Sequence, residues 1–267
     1  MLSSVSSATL LGVAGHQVTV EAHTSDGLPG YTVVGLPDTS CRESRDRVRS
    51  ALLSSEHRWP DRRMTINLAP TRLRKVGAGL DLAIAVALLV AEGVVEAADV
   101  QGFAFIGELG LDGSVRPVPG ILPLAEACGG RPVMALDSVG EARLAQPEAK
   151  GARSLAEVVA CLVGNQPWPE PPAGQAAKPV PYEPDLADVR GQPFARAALE
   201  VAAAGAHHLL MSGPPGAGKT MLAQRLPGLL PDLEGREALD VTSVHSSAGE
   251  LGDAQLIRRP PLRAPHH

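Results

Sequence analysis

Aromatic side chains are scarce: Phe, Trp and Tyr make up only 3% of the 267 residues, so the core has to be built from Ala, Val, Leu and Ile. Cysteine is scarce and unpatterned. Cys41, Cys128 and Cys161 are odd in number and form no C-x-x-C pair, which excludes a disulfide framework or a zinc knuckle and fits a reducing cytoplasm. Positive charge is in deficit, with 24 Lys and Arg against 29 Asp and Glu, a net charge of −5. That removes the argument for a chain that binds nucleic acid with its whole surface; any basic contact has to be local. No Lys or Arg precedes Arg42, so the charged start of a secretory signal is missing. Long hydrophobic runs are missing too. The longest, Leu82 to Ala91, is ten residues bracketed by Asp81 and Glu92, too short to span a bilayer. A soluble, cytoplasmic protein with no membrane partner is the expectation.

What remains is a globular composition, 44% apolar and 20% charged, at a length that fits one or two domains. Residues 165–184, NQPWPEPPAGQAAKPVPYEP, hold seven prolines in twenty positions and read as an extended linker. They divide the chain into a first domain, 1–164, and a second piece, 185–267. No internal repeat is visible on either side.

The first domain alternates short β-branched runs with helical patterns, the signature of an α/β fold. Strands are predicted at 16–24, 31–35, 64–69, 102–107 and 132–136. Helices are predicted at 39–55, capped by Asp38 or Thr39, and at 81–92, 120–129 and 154–163. Asp112-Gly113 between apolar residues is a hairpin-turn signal. The second piece is predicted to open with a helix from about Pro193 to Gly205, followed by a short apolar strand, HHLLMS, at 207–212.

Directly after that segment stands GPPGAGKT, Gly213, Pro214, Pro215, Gly216, Ala217, Gly218, Lys219 and Thr220, which satisfies G-x-x-x-x-G-K-[ST] and leads into a helical run beginning at Met221. Glycines let successive main-chain N–H groups turn inward around phosphate oxygens, and the following helix aims its positive end at them. Lys219 adds a charge for the β and γ phosphates, and Thr220 offers a hydroxyl to Mg2+. ATP or ADP, with Mg2+ held through the nucleotide, is the expected ligand. Hydrolysis would also need a carboxylate at the end of a second strand. Asp232, Glu234, Glu237, Asp240, Glu250 and Asp253 follow no run of four apolar residues, so this chain is expected to bind ATP without hydrolysing it.

Several segments together resemble the bacterial magnesium-chelatase-like AAA+ ATPases of the ComM/YifB type. They are GLPGYTVVGLPD (27–38), RESRDRVRSAL (42–52), INLAP (66–70), the stretch 185–231 that contains the phosphate loop, and HSSAGELGDAQLIRRPPLRAPHH (245–267). The resemblance implies a Lon-protease-like first domain followed by the N-terminal part of a P-loop AAA+ domain, ending before Walker B. It also implies that Val189, Gly191 and Gln192 sit near the adenine. In its intact form such a protein would be an ATP-driven DNA-remodelling motor for branch migration in recombination and competence, assembled as a hexameric ring if the ATPase domain is complete. A nucleotide-binding regulatory or interaction protein and a magnesium chelatase subunit are the alternatives.

Lon-type enzymes carry their nucleophile in K-D-G-P-S-A-G; the corresponding stretch here, Lys75 to Asp81, puts Gly79 at the serine position, and the lysine position aligns with Leu122. Both reacting groups are missing, so peptidase chemistry is not expected and no catalytic residue is assigned. The same region is locally basic. Between Asp38 and Lys75 ten basic residues face five acidic ones, whereas Val76 to Ala160 holds five basic and eleven acidic. Arg42, Arg45 and Arg49 recur at helical spacing and suit DNA phosphates; a solvated helix pairing locally with Glu43 and Asp46 is the competing reading. Histidine spacing suggests no metal set. Trp59 is expected at a domain edge and Trp168 in the linker.

Overall fold

The computed structural model describes residues 1–171, 184–251 and 254–264, so most of the proline-rich segment expected to be a linker lies outside the described residues. The chain forms two compact units: Met1–Gln175 with Thr242–Gln255, and Ala176–Val241 with Leu256–His267.

In the first unit β1 (Leu2–Leu11) and β2 (Ala14–Ser25) form a hairpin around Gly12, whose φ of 61° suits the two-residue turn. β3 (Gly30–Val34) follows, then α1 (Thr39–Arg42), α2 (Ser44–Ser54) and β4 (Arg63–Ala69). Next come α3 (Asp81–Ala91), β5 (Phe103–Phe105), β6 (Glu108–Leu109), β7 (Val115–Arg116) and α4 (Ile121–Ala127). β8 (Arg131–Ala135), α5 (Val139–Ala142), β9 (Lys150–Ala152) and α6 (Leu155–Leu162) complete it. Seven strands make one mixed sheet in the order β3-β4-β2-β1-β5-β8-β9, parallel at all pairings except β1 with β2 and β2 with β4. An α/β architecture is therefore observed.

After Asp81 in its first turn α3 is apolar on every side, and all its residues but Val90 are buried, packed on β1 and β2 among other elements, the environment such a helix requires. The central strand β1 escapes sequence reading because its LSSVSSATLL run looks polar. Its buried hydroxyls are satisfied instead: Ser3 Oγ donates to Ala87 O at 2.6 Å, and Ser7 Oγ to Phe105 O at 2.6 Å. The helix expected over 39–55 breaks at Glu43. α1 is capped by Asp38, which accepts from Cys41 N at 2.8 Å, and α2 restarts at buried Ser44, whose hydroxyl meets that of Tyr31 at 3.1 Å. Asp112 and Gly113 form the turn between β6 and β7, with Asp112 Oδ1 accepting from Ser114 N and Oγ. Trp59 lies 5.8 Å from Tyr31 beside edge strand β3. Trp168 corrects the linker expectation: its ring lies 5.7 Å from Phe103 and packs on the first unit's core, because a large apolar ring gains more there than in solvent.

The second unit contains α7 (Pro193–Ala204), α8 (Lys219–Ala223) and the start of α9 (Gly235–Ser247), whose residues from Thr242 onward group with the first unit. Its small core is built on Leu186, Val189, Leu199 and Leu222. The strand expected at 207–212 is not formed. Among the described residues this unit contains no strand, so the segment has no ladder partner; Leu210 is 94% exposed. Among the described residues no helix is long and apolar enough to cross a membrane.

Candidate functional site

The GPPGAGKT segment forms a turn between residues 207–212 and α8. Gly216 and Gly218 take φ of 80° and 83°, the left-handed conformation that lets a loop curl with its N–H groups inward. Lys219 Nζ donates to Gly213 O at 2.7 Å and Pro214 O at 2.9 Å, so the ammonium lies across the loop it belongs to. Thr220, in the first turn of α8, is exposed to solvent.

A cavity of about 240 Å³ adjoins the loop, lined among others by Gln192, Ala195, Leu209, Met211, Ala217 and Lys219. A phosphate-bearing ligand with an apolar, planar portion fits this combination of main-chain donors, one ammonium, one hydroxyl and an apolar recess. Met221 borders the loop, its Cε 3.2 Å from where a Cβ on Gly218 would lie. Gly191 and Gln192 form a left-handed turn at the start of α7, with φ of 75° and 52°, and the Gln192 amide donates to Ala217 O at 3.3 Å. Val189 is buried in the small core with Leu222, which also lines the cavity; its N–H is taken by Leu186 O and its carbonyl accepts from Arg196.

In the first unit, a cavity of about 500 Å³ is lined by Thr9, Ser40, Gly77, Gly79, Glu108 and Val118, among others. A Cβ on Gly79 would meet only Val118 methyls at 3.8 Å, so no crowding demands glycine there. Leu122 is fully buried, its N–H facing Glu141 Oε1 at 3.1 Å and Ser246 Oγ at 3.3 Å. Neither position supplies a nucleophile or a base.

Arg42 lies on α1, and Arg45 and Arg49 lie on α2; all three are exposed. Among the described residues no carboxylate pairs with them within 4.0 Å, Glu43 and Asp46 included. Arg47, from the same basic run, turns inward. Its Nε reaches Asp81 Oδ2 at 2.5 Å and its Nη2 reaches Asp81 Oδ1 at 3.0 Å. Lys75 is also fully buried, donating to Pro70 O, and burial holds its pKa below the usual lysine value. Burial likewise pushes the Cys41 thiol up to about 12, which leaves it an inert core group. Sequence reasoning missed the Arg47–Asp81 pair because partners 34 positions apart leave no signal in spacing. Among the described residues no cluster of His, Cys, Asp or Glu could hold a metal ion.

Comparison with known proteins adds the lineage of the sequence. A family model described as subunit ChlI of Mg-chelatase matches residues 20–132, and one described as magnesium chelatase, subunit ChlI, matches 185–267. The chain is 48% identical to an uncharacterized protein of Mycobacterium tuberculosis over 98% of this chain and 53% of that protein. It is 42% identical to the uncharacterized protein YifB of Escherichia coli, over 100% of this chain and 53% of YifB. It is 39% identical to the competence protein ComM of Haemophilus influenzae, over 100% and 54%. The chain thus spans about half the length of the curated relatives it matches.

Proposed function

The chain belongs to the magnesium chelatase ChlI family, in its ComM/YifB branch, and from that premise we propose that it binds ATP with Mg2+ through Gly213–Thr220. The observation that carries the reading is the loop itself, a complete phosphate-binding motif with left-handed glycines and a lysine folded across it. In this reading the Lys219 ammonium would exchange two carbonyls for phosphate oxygens, main-chain N–H groups of the loop would donate to those oxygens, and the Thr220 hydroxyl would help hold Mg2+. Bound Mg2+ supplies charge neutralisation for the phosphates. The adjoining apolar recess takes the base.

Turnover is a separate requirement. Hydrolysis would need, besides this loop, a carboxylate at the end of a second strand to hold the metal and aim water, and the proposal for this chain is confined to binding. Calorimetric titration of the purified chain with ATP and Mg2+ tests the reading. Binding is expected for the native sequence and none for Lys219→Ala; equal binding by both would refute it.

The first unit, in the same proposal, is a Lon-like scaffold without protease chemistry, since Gly79 and Leu122 carry no reacting group. Its exposed Arg42, Arg45 and Arg49 form a DNA-phosphate contact, a partner also favoured by the competence-protein name of the Haemophilus relative. At the length of the relatives, the protein would act as a ring-shaped, ATP-driven DNA motor in the cytoplasm.

A further inference from the structure

We infer that Gln192 is a positioning residue for the phosphate loop, acting on its main chain and not on the base; this rests on the nucleotide reading above. The loop is short of donors for a sequence reason. Pro214 and Pro215 have no N–H, so of the loop's first three residues only Gly213 can donate from its main chain, and the remaining donors start at Gly216. Ala217 N is already engaged with Pro214 O at 3.3 Å. Gly218 N–H has no main-chain acceptor among the described residues, which makes its direction matter more than in a loop rich in donors.

That direction is set from outside. In a trans peptide unit the carbonyl and the following N–H point opposite ways. The Gln192 amide Nε2 donates to Ala217 O at 3.3 Å, so the Gly218 N–H is turned to the far side of the loop from Gln192. The approach is close: a Cβ on Gly218 would stand 3.1 Å from that same Nε2, so glycine at 218 is needed for contact as well as for its φ of 83°. Gln192 itself sits in a left-handed conformation at φ 52°, between Gly191 at 75° and Pro193, a costly backbone for a side chain with a Cβ. A strained residue whose side chain ties down one peptide of a ligand loop fits a preorganising role. Lys219 holds other carbonyls, those of Gly213 and Pro214, and has to release them to meet a phosphate; the Gln192 tie is to a different carbonyl, Ala217 O, and does not have to break with them.

Two variants test this in the full chain. Gln192→Ala removes the donor, and Gln192→Asn keeps a residue that tolerates left-handed backbone while shortening the amide by one methylene. Calorimetry with ATP, and displacement of a fluorescent ADP by inorganic tripolyphosphate, separate the phosphate from the base. Each variant is expected to lose about fivefold in affinity for both ligands, the scale of one hydrogen bond. Amide exchange at Gly216–Thr220 should quicken in the ligand-free variants, with exchange across α7 unchanged. A loss confined to ATP, or no change in loop exchange, would overturn the proposal. Should the native chain bind neither ligand, the nucleotide reading fails while the exchange measurement still decides whether Gln192 holds the loop.

Discussion

Arg47 and Asp81 show how far residue type is from residue role. Both sit in segments whose charge reads as surface, yet Asp81 is almost fully buried in the first turn of α3 and takes two hydrogen bonds from the guanidinium. Burial raises the Asp81 carboxyl to about 6, while Arg47 and the Leu109 N–H pull the other way. Because its folded value lies above the unfolded 3.8, unfolding releases a proton between the two. This group's contribution to stability is therefore fully present below the unfolded value and is lost as pH rises through about 6. Replacing Arg47 by Met leaves a buried carboxyl without its ion partner, and we expect a loss of roughly 3 kcal/mol in urea denaturation at neutral pH. Asp81 should rise further in that variant, so its decline in stability should continue to higher pH than in the native protein. A loss independent of pH would contradict the account. The residues of the proposed phosphate loop, by contrast, stand side by side in GPPGAGKT, because a local motif needs no distant partner.

Elements followed their local patterns where burial agreed with periodicity. β2, β3, β4, β8, α3, α6 and α7 lie within a few residues of their predicted spans. β1 did not, because its polarity is cancelled by acceptors that only folding brings near: Ala87 O and Phe105 O, 84 and 98 positions away. The 207–212 run failed in the opposite sense, having strand composition but no neighbour to pair with among the described residues. Close approaches between elements are equally invisible beforehand. At Gly15 in β2 a Cβ would stand 2.0 Å from Pro123 O and 3.0 Å from Ala127 Cβ, so α4 can lie on this strand only over a glycine. Gly15→Ala is expected to displace α4 and destabilise the fold by roughly 2 kcal/mol. Gly30→Ala, where the nearest atom would be 3.9 Å away, is the control that thermal denaturation should find near neutral. Equal effects at both positions would refute this packing.

Across the whole molecule, charge separates more clearly than composition suggests: a chain of net −5 concentrates ten basic residues between positions 38 and 75. Tertiary structure then divides that set, burying Lys75, turning half-buried Arg47 onto Asp81 and leaving Arg42, Arg45 and Arg49 in solvent. If these three meet DNA phosphates, the triple alanine variant should bind duplex DNA more weakly at low salt. Its slope of log affinity against log salt should be shallower by up to about 3, near 0.9 for each lost contact. An unchanged slope in a binding assay would remove DNA from this face. The sequence by itself determined the α/β class and supplied the motif on which the proposed phosphate loop rests, since both depend on residues near one another along the chain. Only the tertiary structure decided which charges face water, that β1 is central, and that Gln192 reaches Ala217 across 25 positions. Those outcomes turn on burial and on hydrogen bonds between distant segments, and neither leaves a periodic trace in the order of residues.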